Sequence, residues 1–441
     1  MTSPQGPLAW LLGFSDPERG VGWNPRASPD PFWKPGRTRA LLDLAGAPDR
    51  QLRVVTIAGT NGKGSTGAFL ESIAGAAGRR TGVCTQPHLH VFRERVRLDR
   101  SPIAEPLFAR HVGRLAAVVG RLRARHPEAG EPTTFELTTV LAALAFAEAG
   151  VDLAVFDVGI GGRLDPVNAL HPSLAIVTSI GLDHTHVLGR SLSAIAAEKA
   201  AVMRPGVVAL SARQRPTAAR VLAREAARLA ARLAVVEPLP ASGPADRDGQ
   251  PVTLTYRART ADAKLSLLGP HQRQNAALAA RAAEELDLPL DAVLGGLAGV
   301  RWPGRLEWVA GQPPLYIDGA HNPDGARALA AGLDELARGS PYALVFGCAR
   351  DKDAPGLLRP LLGRAVRVWT AAADEARARP PDALAAIIGR LGRRAEPATS
   401  VAAALAAARA SGAPLVVVAG SLRVVAEARE ALGLAPQEEP P

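Results

Sequence analysis

Apolar runs of strand length alternate with longer helical stretches along this chain. The runs are residues 52–58, 153–158, 174–180, 207–210, 315–318, 342–347, 366–369 and 415–419. Parallel strands need a crossover between them, usually a helix, so this alternation predicts parallel α/β sheets. Helices are predicted for residues 195–202, 217–234 and 272–294.

Two segments interrupt the alternation and suggest how the chain is organised. Residues 236–268 begin with Pro, Gly and Asp and continue with two short strand-like runs, at 253–256 and 264–267, which we interpret as a small β excursion. Glycines at 295, 296 and 299 precede Trp302-Pro303-Gly304 and predict a hinge. We therefore predict two domains, residues 1–299 and 300–441, and expect a disordered tail from Gln437 to Pro441.

A glycine-rich loop, GTNGKGS at 59–65, lies between a strand-like run and an Ala-rich helical segment. In a strand, loop and helix arrangement, backbone N–H groups and the helix N-terminus bind phosphate oxygens. Lys63 would reach the outer phosphates. Ile57 stands where the strict phosphate-loop pattern has its first glycine, so the placement of the loop carries the prediction of a nucleoside triphosphate site.

Size and composition narrow the class of protein. The 441 residues are enough for two or three domains, and the 47% hydrophobic and 21% charged content is typical of soluble globular proteins. Cys84 and Cys348 lie far apart, which argues against a disulfide framework or a structural zinc site. The first residues carry no cationic leader, and no apolar segment reaches about 18 residues. We expect a cytoplasmic protein without membrane insertion.

The formal charge of +10 does not by itself predict a nucleic-acid partner. The arginines are spread over Ala-Arg-rich helices rather than grouped with aromatic residues. Solvated helix faces explain this distribution, and a positive field also suits small anionic substrates. We therefore expect no nucleic-acid partner.

Polar residues follow several predicted strands, where open α/β sheets present groups to ligands. Asp157 precedes a glycine-rich loop, which suits either a Mg²⁺ ion bridging phosphates or a capping Asp in a tight turn. His184 follows Asp183 and is either a metal ligand or a structural histidine. Lys199 interrupts an apolar helix, so its charge either reaches water or is buried and paired.

The predicted second domain repeats this arrangement. Asp318 follows an apolar run and His321 comes three residues later. Arg305 lies just after the predicted hinge, where its guanidinium could reach a phosphate. Each of these features alone is weak evidence for a functional site. Their joint appearance in this order along the chain is more specific.

These residues belong to motifs that resemble the folylpolyglutamate synthase and dihydrofolate synthase family, the folate branch of the Mur ligases. The resemblance extends from about Gly36 to about Leu422. The motifs are GTNGKGS at 59–65, PHL at 87–89, FRER at 92–95, FELT at 135–138, DVGIGGRLDPVN at 157–168, SIGLDHTHVLG at 179–189, EKA at 198–200, LLGPHQRQNAA at 267–277, PGRLE at 303–307, DGAHNP at 318–323 and DKD at 351–353.

The resemblance implies an α/β, two-domain Mur ligase-like fold. An N-terminal phosphate-loop ATPase domain with a mostly parallel sheet would be followed by a smaller, C-terminal Rossmann-like α/β domain. Such enzymes use ATP to join L-glutamate to dihydropteroate, to reduced folates and their (poly)glutamates, or to both. The acceptor carboxylate becomes an acyl phosphate that the amine of glutamate attacks, while two domains close around the reactants. The resemblance also favours a monomer.

The resemblance further implies roles for residues at matching positions. Residues expected to bind ATP are Thr60, Asn61, Gly62, Lys63, Gly64, Ser65, Asn275, Arg305 and Asp318. Residues expected to line the acceptor site are Thr133, Thr134, Phe135, Glu136, Leu164, Asp165 and Pro166. Residues expected to hold Mg²⁺, in a site for two ions, are Gln86, Asp157 and His184. Residues expected to serve catalysis are Lys63, His321, which orients phosphate or substrate, and Lys199, which is carbamylated in the family.

Two departures from the family pattern bear on the metal site. The family usually has Glu at the position of Asp157 and Ser at that of Gln86. Asp is one methylene shorter, and the Gln side chain is bulkier than a hydroxyl. Because both keep an oxygen that Mg²⁺ accepts, we expect magnesium binding to be retained but altered in strength.

Two other readings of the sequence stay open. One is a Mur-type amide ligase acting on another carboxylate, such as a peptidoglycan precursor; such ligases ordinarily carry a nucleotide-sugar domain before the ATP loop, and only 58 residues precede Gly59. The other is a catalytically degenerate folate- or nucleotide-binding paralogue, in which the altered Gln86 and Asp157 would mark lost metal chemistry. Joint retention of six other residues argues against it, namely Lys63, His184, Lys199, Arg305, Asp318 and His321. The sequence also leaves open the choice of acceptor and the length and linkage of any glutamate chain.

Overall fold

A computed structural model of the chain describes residues 6–15 and 33–435. Residues Met1–Gln5 of the N-terminus and the predicted disordered tail, Gln437–Pro441, lie outside the described residues. Within the described part, helices and strands alternate as the apolar runs predict. None of the helices in these two ranges is long and apolar enough to cross a membrane.

The helices, in chain order, are α1 (Pro7–Leu12), α2 (Trp33–Leu44), α3 (Lys63–Ala76), α4 (Glu105–Arg125), α5 (Thr134–Glu148), α6 (Thr185–Leu188), α7 (Leu192–Ala200), α8 (Pro216–Arg228), α9 (Pro270–Glu285), α10 (Leu290–Ala298), α11 (Pro323–Leu336), α12 (Ala354–Leu362), α13 (Pro381–Arg390), α14 (Val401–Arg409) and α15 (Leu422–Ala431). The strands are β1 (Val54–Ala58), β2 (Thr81–Cys84), β3 (Val96–Leu98), β4 (Ser101–Pro102), β5 (Leu153–Asp157), β6 (Pro172–Val177), β7 (Val208–Ala212), β8 (Arg232–Val236), β9 (Gln250–Tyr256), β10 (Arg259–Leu265), β11 (Glu307–Val309), β12 (Leu315–Asp318), β13 (Tyr342–Phe346), β14 (Ala365–Thr370), β15 (Glu396–Pro397) and β16 (Val416–Ala419).

The larger sheet has eight strands in the order β4-β3-β2-β5-β1-β6-β7-β8. Strands β2, β5, β1, β6, β7 and β8 run parallel, and β3 and β4 add an antiparallel edge. Every residue of β1 and of β5 is buried, as expected for strands covered on both faces. The carboxyl ends of the central strands therefore share one edge, which places Asp157 beside the loop that follows β1.

The smaller sheet has six strands in the order β11-β12-β16-β13-β14-β15. All neighbours run parallel except β11, which pairs antiparallel with β12. Its core consists of apolar residues from β12, β13, β14 and β16 packed against α11, α12 and α13. The mostly parallel α/β architecture predicted from the sequence is confirmed.

The chain divides into two compact units whose segments interleave. The N-terminal unit comprises residues up to 239 with 254–261 and 274–299, and the C-terminal unit comprises residues 240–253 and 262–273 with those from 300 onward. Strands β9 and β10 form a separate two-stranded sheet and contribute residues to both units. A domain boundary near residue 300 remains a prediction.

Three predicted elements are wrong in their bounds. The helix predicted for 217–234 ends at Arg228, and Arg232–Val236 instead pairs with β7, because a partner strand outweighs local Ala and Arg propensity. The segment predicted as one helix over 272–294 forms two helices, α9 and α10. They are separated by residues 286–289, and Pro289 is the N-cap of α10. The predicted strand 264–267 lies at 259–265, after a turn at Arg257 and Ala258 in which both residues have positive φ.

Strand β2 was not predicted because it is short and contains a glycine. Gly82 has a packing reason: a Cβ there would lie 2.6 Å from ring atoms of Phe146 on α5. The glycine lets the Phe146 ring pack against the sheet. Such a requirement depends on a residue far along the chain and leaves no periodic signal.

Candidate active site

The glycine-rich loop connects β1 to the start of α3. Gly59 and Gly62 have φ of 148° and 92°, in the region that favours glycine. Gly62 is the N-cap of α3 and supplies no side chain to the first-turn N–H groups. Those donors and the positive end of the helix dipole are the features that bind a phosphate group.

Both glycines are also required by close packing. A Cβ at Gly62 would lie 2.3 Å from Asn275 Oδ1, and a Cβ at Gly59 would lie 1.8 Å from Thr178 Oγ1. The structure therefore brings Asn275, predicted to contact the nucleotide, against the loop. Thr178 was not predicted, although it belongs to the strand-end segment that the sequence marks as functional.

Backbone contacts hold the loop to the carboxyl end of β6. The N–H groups of Thr60 and Asn61 both donate to the carbonyl of Ser179, at 2.8 and 3.3 Å. The Thr60 hydroxyl donates to the Gly181 carbonyl at 3.1 Å. Predicted nucleotide-binding residues are thus positioned by the segment that leads to His184.

Two lysines meet at this loop. Lys63 Nζ donates to Gly59 O at 3.0 Å and to Thr60 O at 3.4 Å, and Lys199 Nζ donates to Gly59 O at 2.8 Å. Lys199 is only 5% exposed, so its side chain does not reach bulk water. Burial, with the nearby charge of Lys63, lowers the pKa of Lys199 to about 7.

Asp157 ends β5 with a buried carboxylate. Its Oδ2 accepts a hydrogen bond of 2.6 Å from Thr85 Oγ1, whereas its Oδ1 is buried and makes no hydrogen bond within the described residues. Burial raises the pKa of Asp157 to about 6, and the Thr85 hydroxyl and the Lys63 charge oppose that shift. A buried carboxylate oxygen without a partner fits a metal ligand better than a turn cap. Thr85 was not predicted as a site residue.

The other two predicted magnesium ligands, His184 and Gln86, have different contacts from those of Asp157. His184 is the N-cap of α6 with a φ of 47°, and its Nε2 lies 4.0 Å from Asp183 Oδ1. The carboxamide of Gln86 packs against Gly159. Across residues 6–15 and 33–435, no three His, Cys, Asp or Glu side chains are grouped so as to hold a metal ion. A magnesium ion here would depend on phosphate and water oxygens, as Mg²⁺ commonly does.

The predicted acceptor residues 133–136 form the first turn of α5. Thr133 and Glu136 form a capping box, and Glu136 is also paired with buried Arg37 through bonds of 2.8 and 2.7 Å. The Thr134 hydroxyl lies within 3.2 Å of the carbonyls of Leu11 and Phe14. Polar groups of these side chains are engaged within the protein, whereas the Phe135 ring remains half-buried.

Asp165 organises the glycine-rich loop that follows Asp157. Its Oδ2 accepts from the N–H groups of Gly159 and Ile160 at 3.0 and 3.1 Å, and its Oδ1 accepts from Val167 N at 3.0 Å. Burial raises the pKa of Asp165 to about 6, and these backbone donors oppose the shift. Of its predicted neighbours, Leu164 is half-buried and Pro166 is buried.

Three predicted site residues converge on Gly159. A Cβ on this glycine would lie 2.0 Å from Gln86 Nε2, 3.0 Å from Phe135 Cε1 and 3.2 Å from Asp165 Oδ2. The structure thus joins a predicted magnesium ligand, Gln86, to two predicted acceptor residues. Sequence spacing could not reveal this, because the three side chains come from separate parts of the chain.

In the C-terminal unit, Asp318 ends β12 and orders the residues around it. Its two oxygens accept from the N–H groups of Leu306 and Ala320, at 2.7 and 2.8 Å. The guanidinium of Arg305 lies over Gly319, where a Cβ would be 2.6 Å from Nη1. Burial lowers the pKa of Arg305 and the charge of Asp318 opposes this. The three predicted residues of this unit are near one another, since His321 Nδ1 donates to Gly319 O at 3.0 Å.

His271 is a further residue that the sequence did not single out. Its ring lies beside Gly269 and its Nδ1 is buried without a hydrogen-bond partner in the described structure. Burial lowers its pKa, and the charge of Asp318 opposes the shift. The sequence feature that could have identified His271 is its place in the motif at 267–277, which also contains Asn275.

Comparison with protein families places these features in a known group. Residues 57–283 match the Mur ligase middle domain, and residues 304–422 match the glutamate ligase domain of Mur ligases. The dihydrofolate synthase/folylpolyglutamate synthase of Bacillus subtilis is 36% identical over 338 residues, covering 74% of this chain and 78% of that protein. The corresponding protein of Mycobacterium tuberculosis is 36% identical over 354 residues, covering 74% of this chain and 71% of its own length.

Solved structures agree with the sequence comparison. The folylpolyglutamate synthase of Mycobacterium tuberculosis, complexed with ADP and AMPPCP, has a TM-score of 0.84 at 34% identity and covers 92% of this chain and 96% of that one. E. coli FolC in complex with DHPP and ADP has a TM-score of 0.80 at 27% identity and covers 98% of this chain and 99% of that one. The chain therefore belongs to the folylpolyglutamate synthase and dihydrofolate synthase family of the Mur ligases.

Proposed function

We propose that this protein is an ATP-dependent ligase that joins L-glutamate to dihydropteroate, to folate (poly)glutamates, or to both. The observation that carries the proposal is the glycine-rich loop between β1 and the N-terminus of α3, with Gly62 as the N-cap and the Lys63 ammonium held at the loop by Gly59 O. In a member of this family, the nucleotide is ATP. The acceptor carboxylate would take the γ-phosphoryl group, and the amine of glutamate would attack the resulting acyl phosphate.

Phosphate binding would use the residues that form the loop. We propose that Gly62, Gly64 and Ser65 present backbone N–H groups to the phosphates, with Thr60 and Asn61 completing the loop. Lys63 would exchange its bonds to Gly59 and Thr60 for the outer phosphate oxygens. This exchange replaces contacts to neutral carbonyls by contacts to charged oxygens, which are stronger.

Nucleotide binding would also involve residues beyond the loop. Asn275 already packs on Gly62, which supports its assignment to the nucleotide. Arg305 and Asp318 are assigned by resemblance, with Arg305 neutralising charge. His321 would orient phosphate or substrate, since the bond from its Nδ1 to the Gly319 carbonyl fixes the position of the ring.

Magnesium fits the chemistry of this site. We propose that Asp157 and His184 contribute protein ligands in a site for two ions. Asp157 Oδ1 is buried and makes no hydrogen bond to any described residue, which supports this assignment. Bound Mg²⁺ would neutralise phosphate charge and hold the nucleotide in line for transfer. Thr85 would orient the carboxylate through its bond to Oδ2.

Carbamylation of Lys199 would remove the energetic cost of burying a second positive charge at the loop. With a pKa of about 7, a sizeable fraction of Lys199 is the neutral amine at neutral pH, which is the form that reacts with CO₂. The carbamate is an anion, so the repulsion of Lys63 becomes an attraction. We propose that this carbamate helps to hold the metal site.

For the acceptor, we propose a site at the first turn of α5 and the loop 164–166. Phe135 is the residue of that turn whose side chain is apolar and half-buried, as a stacking contact for a planar acceptor requires. Glu136 and Asp165 are assigned to shaping the site, because both carboxylates are bonded within the protein. We further propose that the protein acts as a cytoplasmic monomer.

The test is ADP release by the purified protein with magnesium and L-glutamate. Three reactions are compared, with 7,8-dihydropteroate, with a reduced folate monoglutamate and without acceptor. We expect release that requires both glutamate and an acceptor, and the preferred acceptor identifies the activity. Lys63→Met should abolish release, while Lys264→Met, at an exposed lysine of β10, should leave it unchanged.

The other outcomes are equally informative. Release that is independent of acceptor would indicate a simple ATPase. Nucleotide binding without release under any condition would overturn the proposal in favour of a non-catalytic binding protein.

A further inference from the structure

The loop that carries Gln86 is held in place on both sides. Thr85 N donates to Arg95 O at 3.0 Å, and the Thr85 hydroxyl bonds to Asp157. The carboxylate of Glu94 accepts from three successive N–H groups, those of residues 89, 90 and 91, at 2.7, 3.1 and 3.1 Å. Gln86 is therefore presented by an ordered backbone.

Side chains brace the same loop. Arg95 is buried, its Nε donates to His88 Nδ1 at 3.0 Å, and its guanidinium carbon lies 4.9 Å from the centre of the Phe92 ring. Because arginine stays charged, His88 Nδ1 must be the acceptor. This bond fixes the ring two residues after Gln86 and limits how far the loop can move.

The side chain of Gln86 occupies space that only a glycine leaves free. Its Nε2 would be 2.0 Å from a Cβ at position 159, much closer than real Cβ contacts allow. Gly159 is itself held, since its N–H donates to Asp165 Oδ2 at 3.0 Å. The carboxamide thus lies over the Gly159 backbone at the point that Phe135 Cε1 and Asp165 Oδ2 also approach.

The carboxamide of Gln86 faces the predicted acceptor residues. Its Nε2, a hydrogen-bond donor, lies over Gly159 where Phe135 Cε1 and Asp165 Oδ2 also approach. The oxygen in this region that is buried and makes no hydrogen bond within the described residues is Asp157 Oδ1, so the assignment of Asp157 to magnesium does not depend on Gln86. A carboxamide beside an aromatic ring is instead the kind of polar group that orients a ligand within a largely apolar site.

We infer that Gln86 is a specificity-determining residue of the acceptor site rather than a magnesium ligand. Its carboxamide, placed beside Phe135 over Gly159, hydrogen-bonds the edge of a planar heteroaromatic acceptor whose ring packs on Phe135. A carboxamide offers one acceptor oxygen and two donor hydrogens, which suits a heterocycle with adjacent carbonyl and amino groups. The inference rests on the proposed function and identifies the residue that recognises the heterocycle of the acceptor.

The test separates acceptor recognition from magnesium binding. Gln86→Ser and Gln86→Leu are compared with the unaltered protein for the KM values of two acceptors, dihydropteroate and a reduced folate monoglutamate, and for the Mg²⁺ concentration that gives half-maximal ADP release. We expect the acceptor KM to rise about tenfold, the usual scale for losing one buried hydrogen bond, with the magnesium midpoint unchanged. A raised magnesium midpoint with unchanged acceptor KM overturns the inference.

Asp157→Asn serves as the metal-side comparison and should raise the magnesium requirement instead. A direct measurement, calorimetric binding of dihydropteroate without magnesium or nucleotide, is independent of turnover. Weaker binding by Gln86→Ser supports the inference even if the ligase reaction itself is not observed, and equal binding contradicts it. Absence of binding to the unaltered protein would overturn both the inference and the proposed function.

A double-mutant cycle tests the placement of the side chain. Gly159→Ala adds a Cβ that collides with the Gln86 carboxamide, so it should weaken acceptor binding in the unaltered background. In the Gln86→Ser background the main obstacle is gone, leaving contacts of 3.0 and 3.2 Å with Phe135 and Asp165, and the effect should be smaller. Equal effects in both backgrounds would show that the carboxamide does not lie over Gly159.

Discussion

Lys63 and Lys199 donate hydrogen bonds to the same acceptor, the carbonyl oxygen of Gly59, at 3.0 and 2.8 Å. The two side chains come from different helices, α3 and α7, and only the fold brings their charges together. Their proximity contributes to the lowered pKa of Lys199. A pair of cations beside a glycine-rich loop is suited to a polyanion.

The first prediction concerns Lys199. We expect ¹³C-bicarbonate to produce a carbamate signal in the ¹³C NMR spectrum of the protein, because a pKa of about 7 leaves a large share of the neutral amine at about neutral pH. The signal should be absent from Lys199→Ala and present in Lys264→Ala. A signal that persists in Lys199→Ala would place the modification elsewhere.

Asp157 is predicted to be essential for turnover. Asp157→Ala should abolish ATP-dependent activity, because it removes the buried oxygen that we assign to Mg²⁺. Binding of ADP without magnesium should persist, since the loop residues are untouched. Asp152→Ala, at an exposed Asp just before the same strand, is the matched control and should keep activity. Near-normal turnover of Asp157→Ala would remove this residue from the metal site.

Gly319 is predicted to be required for the position of Arg305. A Cβ in Gly319→Ala would lie 2.4 Å from Leu422 Cδ2 and 2.6 Å from Arg305 Nη1, so the guanidinium must shift. We expect the KM for ATP to rise about tenfold or more, the scale for losing a charged hydrogen bond. Gly363→Ala is the control, since that glycine has helical φ and open space around it. An unchanged KM in Gly319→Ala would exclude Arg305 from nucleotide binding.

The pair of Arg37 and Glu136 is predicted to stabilise the start of α5. Its side chains are 2% and 0% exposed, so Arg37→Met leaves a buried carboxylate without its partner and should lower the free energy of unfolding by about 3–5 kcal/mol. Arg39→Met, on the same helix, breaks a more exposed ion pair and should cost less. Urea denaturation measures both.

The double variant Arg37→Met/Glu136→Leu distinguishes an unpaired charge from a packing defect. Removing both charges should recover part of the lost stability, although the capping contact of Glu136 to Thr133 is also lost. A double variant less stable than Arg37→Met would contradict the unpaired-charge explanation.

His111 predicts a dependence of stability on pH. The side chain is buried, with Glu148, Arg110 and Arg114 facing it, and burial is the main reason that its pKa falls to about 4. Between about pH 6.5 and about 4 the unfolded chain binds a proton that the folded protein does not. This residue should therefore reduce stability progressively as pH falls through that range, by at most about 3.5 kcal/mol, since each pKa unit corresponds to ~1.4 kcal/mol.

The check is urea denaturation of His111→Leu at a series of pH values from about 4.5 to about 7.5. Its stability should fall less steeply below about pH 6.5 than that of the unaltered protein. His126→Leu, at the exposed end of the same helix, should keep the original slope. Parallel curves for His111→Leu and the unaltered protein would assign the acid sensitivity to other groups.

Local sequence was sufficient to predict the secondary-structure elements at the centre of the candidate site. An apolar run followed by glycines and an Ala-rich segment determined β1, the loop and α3, because strand burial, positive φ and helix propensity act over a few residues. The order of motifs also determined the family. Strands that form only because a partner strand lies beside them were harder to predict. The sequence of Arg232–Val236 is typical of a helix, yet in the fold it pairs with β7 as a strand.

Tertiary structure decided which groups the predicted site residues contact. Helical periodicity cannot distinguish a lysine that reaches water from one that is buried, and the fold places Lys199 on the Gly59 carbonyl. Sequence predicted Glu136 as an acceptor contact, and the fold pairs it with Arg37, 99 residues away. Gln86 meets Gly159 for the same reason: which distant groups become neighbours depends on how whole elements pack, a sum of many weak contacts that no local pattern records.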